Sequence, residues 1–73
     1  MNEIKDKRFM KTGFFDKNGE EISENDILKG VFNNEFFKVI YKNGKWIDKD
    51  INNGIEMNLT QYGCDYKTIL KNE

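Results

Sequence analysis

KTGFFDKNGEEISENDILKG, running from Lys11 to Gly30, is the stretch whose reading decides the fold. Two short apolar groups, Phe14-Phe15 and Ile27-Leu28, flank a turn built on Asp16-Lys17-Asn18-Gly19. A second polar corner, Ser23-Glu24-Asn25-Asp26, separates Ile22 from Ile27. Asn and Gly tolerate the positive φ that tight turns require, so the spacing predicts strand, turn, short strand, corner, strand. Ser23 with Asp26 three residues on has the form of a weak capping box, which predicts at most one short 3₁₀ turn at the corner.

On the N-terminal side, Met1 to Lys7 holds Ile4 as its single interior apolar residue. That segment, residues 1–7, is expected to be a flexible N-terminal piece or an edge strand. Arg8 to Phe15 carries Phe9, Met10, Phe14 and Phe15, enough to commit a strand to the core, and Gly13 within it marks a bulge or a close backbone approach. On the C-terminal side, Ile27 to Phe32 continues as a strand that ends at Gly30 or runs past it, and Asn33-Asn34 turns the chain.

Glu35 to Asp48 is the clearest hairpin. Its two arms, Phe36 to Lys42 and Lys45 to Asp48, are separated by Asn43-Gly44, the strongest short signal for a type I′ turn. Counting back from the turn pairs Lys42 with Lys45, Tyr41 with Trp46, and Ile40 with Ile47. The pleat then places Phe37, Val39, Tyr41 and Trp46 on one face, and Phe36, Lys38, Ile40, Lys42, Lys45 and Ile47 on the other. Lys49 to Gly54 reads as a polar loop, and Ile55 to Leu59 as a half-buried strand. Tyr62-Gly63 reads as a turn, followed by a strand with Cys64, Tyr66, Thr68 and Leu70 on one face. Pairing this last strand with the first would close a barrel and remove exposed edges. The expectation is a mainly β, single small domain over residues 8–73 with five to six antiparallel strands.

Composition agrees. The chain of 73 residues has room for one domain, which buries about 60% of the surface its unfolded form exposes. Its apolar share of 37% is aromatic and β-branched in character and includes no Ala, which favours strands over helices. Twelve basic and thirteen acidic residues leave a net charge of −1. That is neither a broad positive excess to follow a phosphate backbone nor the acidity of a nucleic-acid mimic. Arg8 is the single Arg, which argues against bidentate readout of bases.

Catalytic chemistry has few carriers. The chain has no His, so the usual general base and the commonest metal ligand are missing. Cys64, alone, excludes an internal disulfide and reads as a buried residue in a reducing compartment. Asp16, Asp26, Asp48 and Asp50 sit in or beside turns. Asp48-Lys49-Asp50 with Asn52 lacks the Gly and the bidentate Glu of an EF-hand loop. The expectation is therefore no enzyme, no metal and no cofactor. No apolar run reaches the roughly 20 residues of a membrane span, and Met1 to Lys7 is too charged for a secretory leader. A soluble, cytoplasmic product without membrane contact is expected.

Binding is the function class left. Tyr41 and Trp46, near Lys42 and Lys45, have the composition of a stacking platform for a base or nucleotide, which makes these four the candidate site residues. The competing reading is that the two rings are ordinary cross-strand packing. So short a chain is expected to be a monomer or a homodimer joined through a strand edge.

Thr12-Gly13, Asp16-Lys17-Asn18-Gly19-Glu20-Glu21-Ile22 and Glu24-Asn25-Asp26-Ile27-Leu28 resemble the opening pattern of the YopX-like family of phage and prophage proteins. Asn25 stands where that pattern has Gly, and Cys64 to Glu73 follows the family's closing strand only loosely. The resemblance implies an SH3-like barrel encoded by a mobile element. By analogy it also implies a non-catalytic protein that modulates host machinery through a host protein partner. Its concrete form would be inhibition of a host defence such as an RNA-guided (CRISPR) nuclease. The alternative is a nucleotide or single-stranded nucleic-acid binding module using the aromatic platform, and a third reading is a structural accessory without a fixed partner.

Overall fold

The computed structural model describes residues 10–70. The expectations for residues 1–7, and for the start of the first strand at Arg8, lie outside the described residues. Seven strands and one helical turn follow in order: β1 (Lys11–Phe15), β2 (Glu21–Ser23), β3 (Ile27–Gly30), β4 (Phe36–Lys42), β5 (Lys45–Asp50), β6 (Glu56–Asn58), α1 (Gln61–Cys64) and β7 (Lys67–Ile69). β1 and β2 form a two-stranded sheet, and the others form a five-stranded antiparallel sheet in the order β6-β5-β4-β3-β7.

The hairpin from β4 to β5 has the register counted from the sequence, with Lys42 opposite Lys45, Tyr41 opposite Trp46 and Ile40 opposite Ile47. Asn43 and Gly44 both take positive φ, 53° and 78°, as a two-residue type I′ connection demands. In the first hairpin the register slips between Lys11 and Phe15, and Gly13, at φ 86°, lies within that irregularity. The bulge expected at Gly13 is there. The corner after β2 stays within the limit of at most one 3₁₀ turn: it is a hydrogen-bonded turn, the Asp26 N–H donating to the Ser23 carbonyl at 3.1 Å, and it carries the expected contact of Asp26 with Ser23. Asp26 Oδ2 accepts from the Ser23 N–H at 2.8 Å, and Asn25 takes a left-handed φ of 73° while its own N–H donates to the Val39 carbonyl at 2.8 Å.

Asn tolerates this conformation better than other side-chain-bearing residues, but Gly tolerates it best. Asn25→Gly is expected to stabilise the protein by about 0.5 kcal/mol, and Asn25→Val to destabilise it by about 1–2 kcal/mol. The shift of the urea midpoint at constant slope checks both.

The core lies on one face of the five-stranded sheet. Ile22, Leu28, Val39, Leu59 and Cys64 form it, with Phe14, Phe37, Trp46 and Ile69 packed around them. Each fully buried aliphatic residue contributes about 1.5–3 kcal/mol. The β1–β2 hairpin supplies Phe14 and Ile22, and α1 supplies Cys64, so these two elements cover the inner face.

The C-terminal segment departs from expectation. Residues 61–64 are helical, because Thr60 Oγ1 accepts from the Gly63 N–H at 3.0 Å and caps a single turn. Cys64 is thus a buried helical residue rather than the start of a strand. β7 shortens to three residues and pairs with β3, not with β1, with Leu28 opposite Ile69 and Gly30 opposite Lys67. The two sheets do not close into a barrel. The turn after β1 is nonetheless tied to β7, since the Lys17 N–H donates to the Lys67 carbonyl at 2.8 Å. β6 also differs from the half-buried strand expected: Glu56, Met57 and Asn58 are all exposed, and burial begins at Leu59.

Candidate functional site

Pleating assigns every strand residue of the five-stranded sheet to one of two faces, and this separates the four residues singled out from the sequence. Tyr41 and Trp46 lie on the inner face with Val39. Their rings are 4.8 Å apart, edge to face, with Trp46 packed against the core and Tyr41 half exposed. Lys42 and Lys45 lie on the outer face. The Lys42 ammonium reaches Glu56 at 2.9 and 3.2 Å, an exposed pair of small energetic weight, and Lys45 is exposed. The structure brings the two rings together and the two lysines together, on opposite sides of the sheet.

A cleft of about 340 Å³ opens on the inner face beside the core, lined in part by Phe37, Asp48, Asp50, Met57, Thr60 and Lys67. Asp48, Asp50, Asn53, Thr60 and Lys67 among its lining are engaged with one another or with the backbone. Asp50 Oδ1 accepts from the N–H groups of Asn52 and Asn53 at 2.8 and 3.1 Å, which forms the loop after β5. The Lys67 ammonium lies 3.8 Å from Asp48, donates to the Gly63 carbonyl at 3.2 Å and sits 4.8 Å above the Phe37 ring. Burial pushes the Asp48 carboxyl above its ordinary value, and the Lys67 charge offsets part of that rise.

Cys64 closes the back of the core. Burial pushes its thiol up to about 11, so almost none of it is thiolate at neutral pH. Alkylation by iodoacetamide at pH 8 is expected to be undetectable in the folded protein and rapid in urea. The labelling rate across a denaturant series should then follow the unfolded fraction.

A third constellation escaped the sequence reading. Phe32, in the loop after β3, Tyr62 in α1 and Tyr66 before β7 form a continuous aromatic cluster, with Phe32 5.5 Å from Tyr66 and Tyr66 5.4 Å from Tyr62. They are 79%, 75% and 42% exposed. The helical turn is what assembles them. It projects Tyr62 outward while Cys64 points in, and the Val31 N–H donates to the Tyr66 carbonyl at 2.9 Å, which holds the loop against this segment. The neighbouring Tyr62 phenol, through its charge when ionised and a hydrogen bond, keeps the Tyr66 phenol above its ordinary value. The only sequence signal was the Thr60 cap followed by Gly63, a short motif easily read as a turn.

Scattered exposed apolar residues are normal on a protein surface, whereas a contiguous group of large rings is not. Aromatic side chains combine large contact area with few rotatable bonds, which suits them as anchors in protein interfaces. No helix among the described residues is long and apolar enough to cross a membrane. A search of curated proteins gave no match. The family model described as "YopX protein" matches residues 2–69, nearly the whole chain and well beyond the opening stretch, and the chain therefore belongs to the YopX family.

Proposed function

We propose that this phage-type protein is a non-catalytic binding module that modulates host machinery by docking onto a host protein, with Phe32, Tyr62 and Tyr66 as the anchor. The observation that carries the reading is the exposed, mutually contacting cluster of these three rings. Two of the side chains weighed for chemistry are otherwise engaged: the Cys64 thiol is buried with a raised pKa, and Asp48 is held by Lys67. Inhibition of a host defence, such as an RNA-guided nuclease, is the concrete form this modulation would take in a mobile element. It is carried by analogy with phage proteins of this size, and not by any residue.

The test is affinity capture of the tagged protein from bacterial lysate, with and without nuclease, beside a Phe32→Ser/Tyr62→Ser variant whose melting is checked by circular dichroism. The expected result is one stoichiometric protein that survives nuclease and high salt and is lost in the variant. Where that protein is a guided nuclease, target cleavage with and without added binder decides the defence reading. Equal capture by the variant would overturn the assignment of the anchor.

Nucleotide or single-strand binding at Tyr41 and Trp46 is the second reading, favoured by the half-exposed Tyr41 ring. It predicts that Tyr41→Ala, which removes an exposed ring, abolishes capture of nucleic acid, and that capture falls steeply with salt.

A further inference from the structure

The outer face of the five-stranded sheet carries an ordered pattern. Across β4 and β5 the directly opposed residues are Lys42 with Lys45, Ile40 with Ile47, and Lys38 with Lys49. Basic and apolar rungs therefore alternate. Beyond the last lysine rung, Phe36 continues the ladder, and its carbonyl accepts from the N–H of half-exposed Ile51 at 2.9 Å. β3 adds Lys29 opposite Phe36, and Ile27 opposite Lys38. Five lysines share this face, and Glu56 is the one carboxylate among its paired residues. The near-zero net charge of the chain conceals this segregation, because Asp16, Glu20, Glu21, Glu24 and Asp26 lie in and around the other hairpin.

Two rungs of directly opposed like charges work against folding, since such pairs are destabilising across an antiparallel ladder. Among the described residues, Lys38, Lys45 and Lys49 have no carboxylate partner, and all four lysines are exposed. An anionic partner would turn that repulsion into attraction. The apolar rungs say which kind. Ile27, Phe36 and Ile40 are partly open, yet isoleucine cannot stack on a base and phosphates gain nothing from it. Among the described residues the face also has no Arg and, in Phe36, only one aromatic ring. Carboxylates alternating with apolar side chains match both sorts of rung.

We propose that this outer face is a docking surface for an acidic, apolar-patterned protein segment, whose carboxylates meet the lysine rungs and whose apolar side chains lie over Ile40 and Phe36. This rests on the reading of the chain as a protein-binding module, but not on the aromatic cluster.

The probe is a short synthetic peptide of alternating glutamate and leucine, titrated into the isotopically labelled protein and followed by amide chemical shifts. The same peptide with glutamine for glutamate, and a single-stranded oligothymidine, serve as comparisons. The acidic peptide is expected to shift β4 and β5 amides selectively and to weaken with salt. Lys49→Glu should weaken it about ten-fold or more. By creating an opposite-charge rung with Lys38, the same substitution should also raise the Tm of the free protein by about 2–5 °C.

Undiminished peptide binding by Lys49→Glu would overturn the proposal. So would equal binding of the glutamine peptide, shifts on this face from the oligonucleotide alone, or concentration-dependent shifts that reveal a second copy of the chain as the occupant. The two readings fail separately. A lysate partner lost with Phe32→Ser/Tyr62→Ser but kept with Lys49→Glu upholds the function and removes this docking face.

Discussion

Asp16→Ala is expected to cost about 3 kcal/mol, most of the stability a domain of this size commands. The Asp16 carboxylate is 4% exposed and joins three parts of the fold. Its Oδ1 accepts from the Asn18 and Glu20 N–H groups, both at 2.9 Å, and so closes the turn between β1 and β2. Its Oδ2 accepts from the Ile69 N–H at 3.0 Å and so clips β7 to that turn. Hydrogen bonds to an ionised acceptor are stronger than neutral ones, and their loss strands donors in a buried region. A fall of about 15 °C in Tm is expected, with faster exchange of the Asn18, Glu20 and Ile69 amides. Asp16→Asn should lose less, because it keeps an acceptor for the turn, but its amide donor would face either the turn or the Ile69 N–H. A loss below about 1 kcal/mol in the Ala variant would mean that water replaces the clip.

Lys67→Met is expected to cost about 2 kcal/mol at pH 7 and much less in acid. The substitution keeps the stem of the side chain against Phe37 but removes the charge beside Asp48. A buried carboxylate without its partner is costly, and the 3.8 Å separation keeps the effect below that of a tight pair.

The pH dependence follows from the direction of the Asp48 shift. Its folded carboxyl titrates above the ordinary value of 3.8, chiefly because of burial, so the folded state binds its proton more tightly than the unfolded state does. Stability is therefore higher below 3.8, falls as pH rises from there through the folded value, and carries the full penalty above it. Removing Lys67 widens that interval. The gap between variant and wild type should be largest at neutral pH and shrink toward pH 4, as read from denaturant unfolding. Adding Asp48→Asn should restore part of the loss at pH 7, and a gap that stays constant with pH would show that packing, not charge, was lost.

Much of the fold was legible because its rules are local. The type I′ turn at Asn43-Gly44 sets the register of β4 on β5, and period two then sorts the two faces, so the Lys42–Lys45 rung was implicit in the sequence, whereas the Lys38–Lys49 rung exists because β5 runs on to Asp50 through residues read as loop. Gly13 announced the bulge, and Asn25 took the left-handed conformation that the family pattern fills with Gly. The family, too, was readable from Thr12 to Leu28, and its match over residues 2–69 extends it along the chain.

What the sequence by itself determined is thus the strand content, the central hairpin and its two faces. Tertiary structure decided where the last strand goes and whether a barrel closes. β7 has three residues, and its choice of the β3 edge over β1 depends on the Thr60-capped turn and on the Asp16 carboxylate, a contact between positions far apart in the chain. The aromatic cluster belongs to the same class. Tyr62 and Tyr66 stand four residues apart, a local spacing, but Phe32 joins them from the loop after β3, and no local pattern records that meeting, because it follows from the path of the chain across the core.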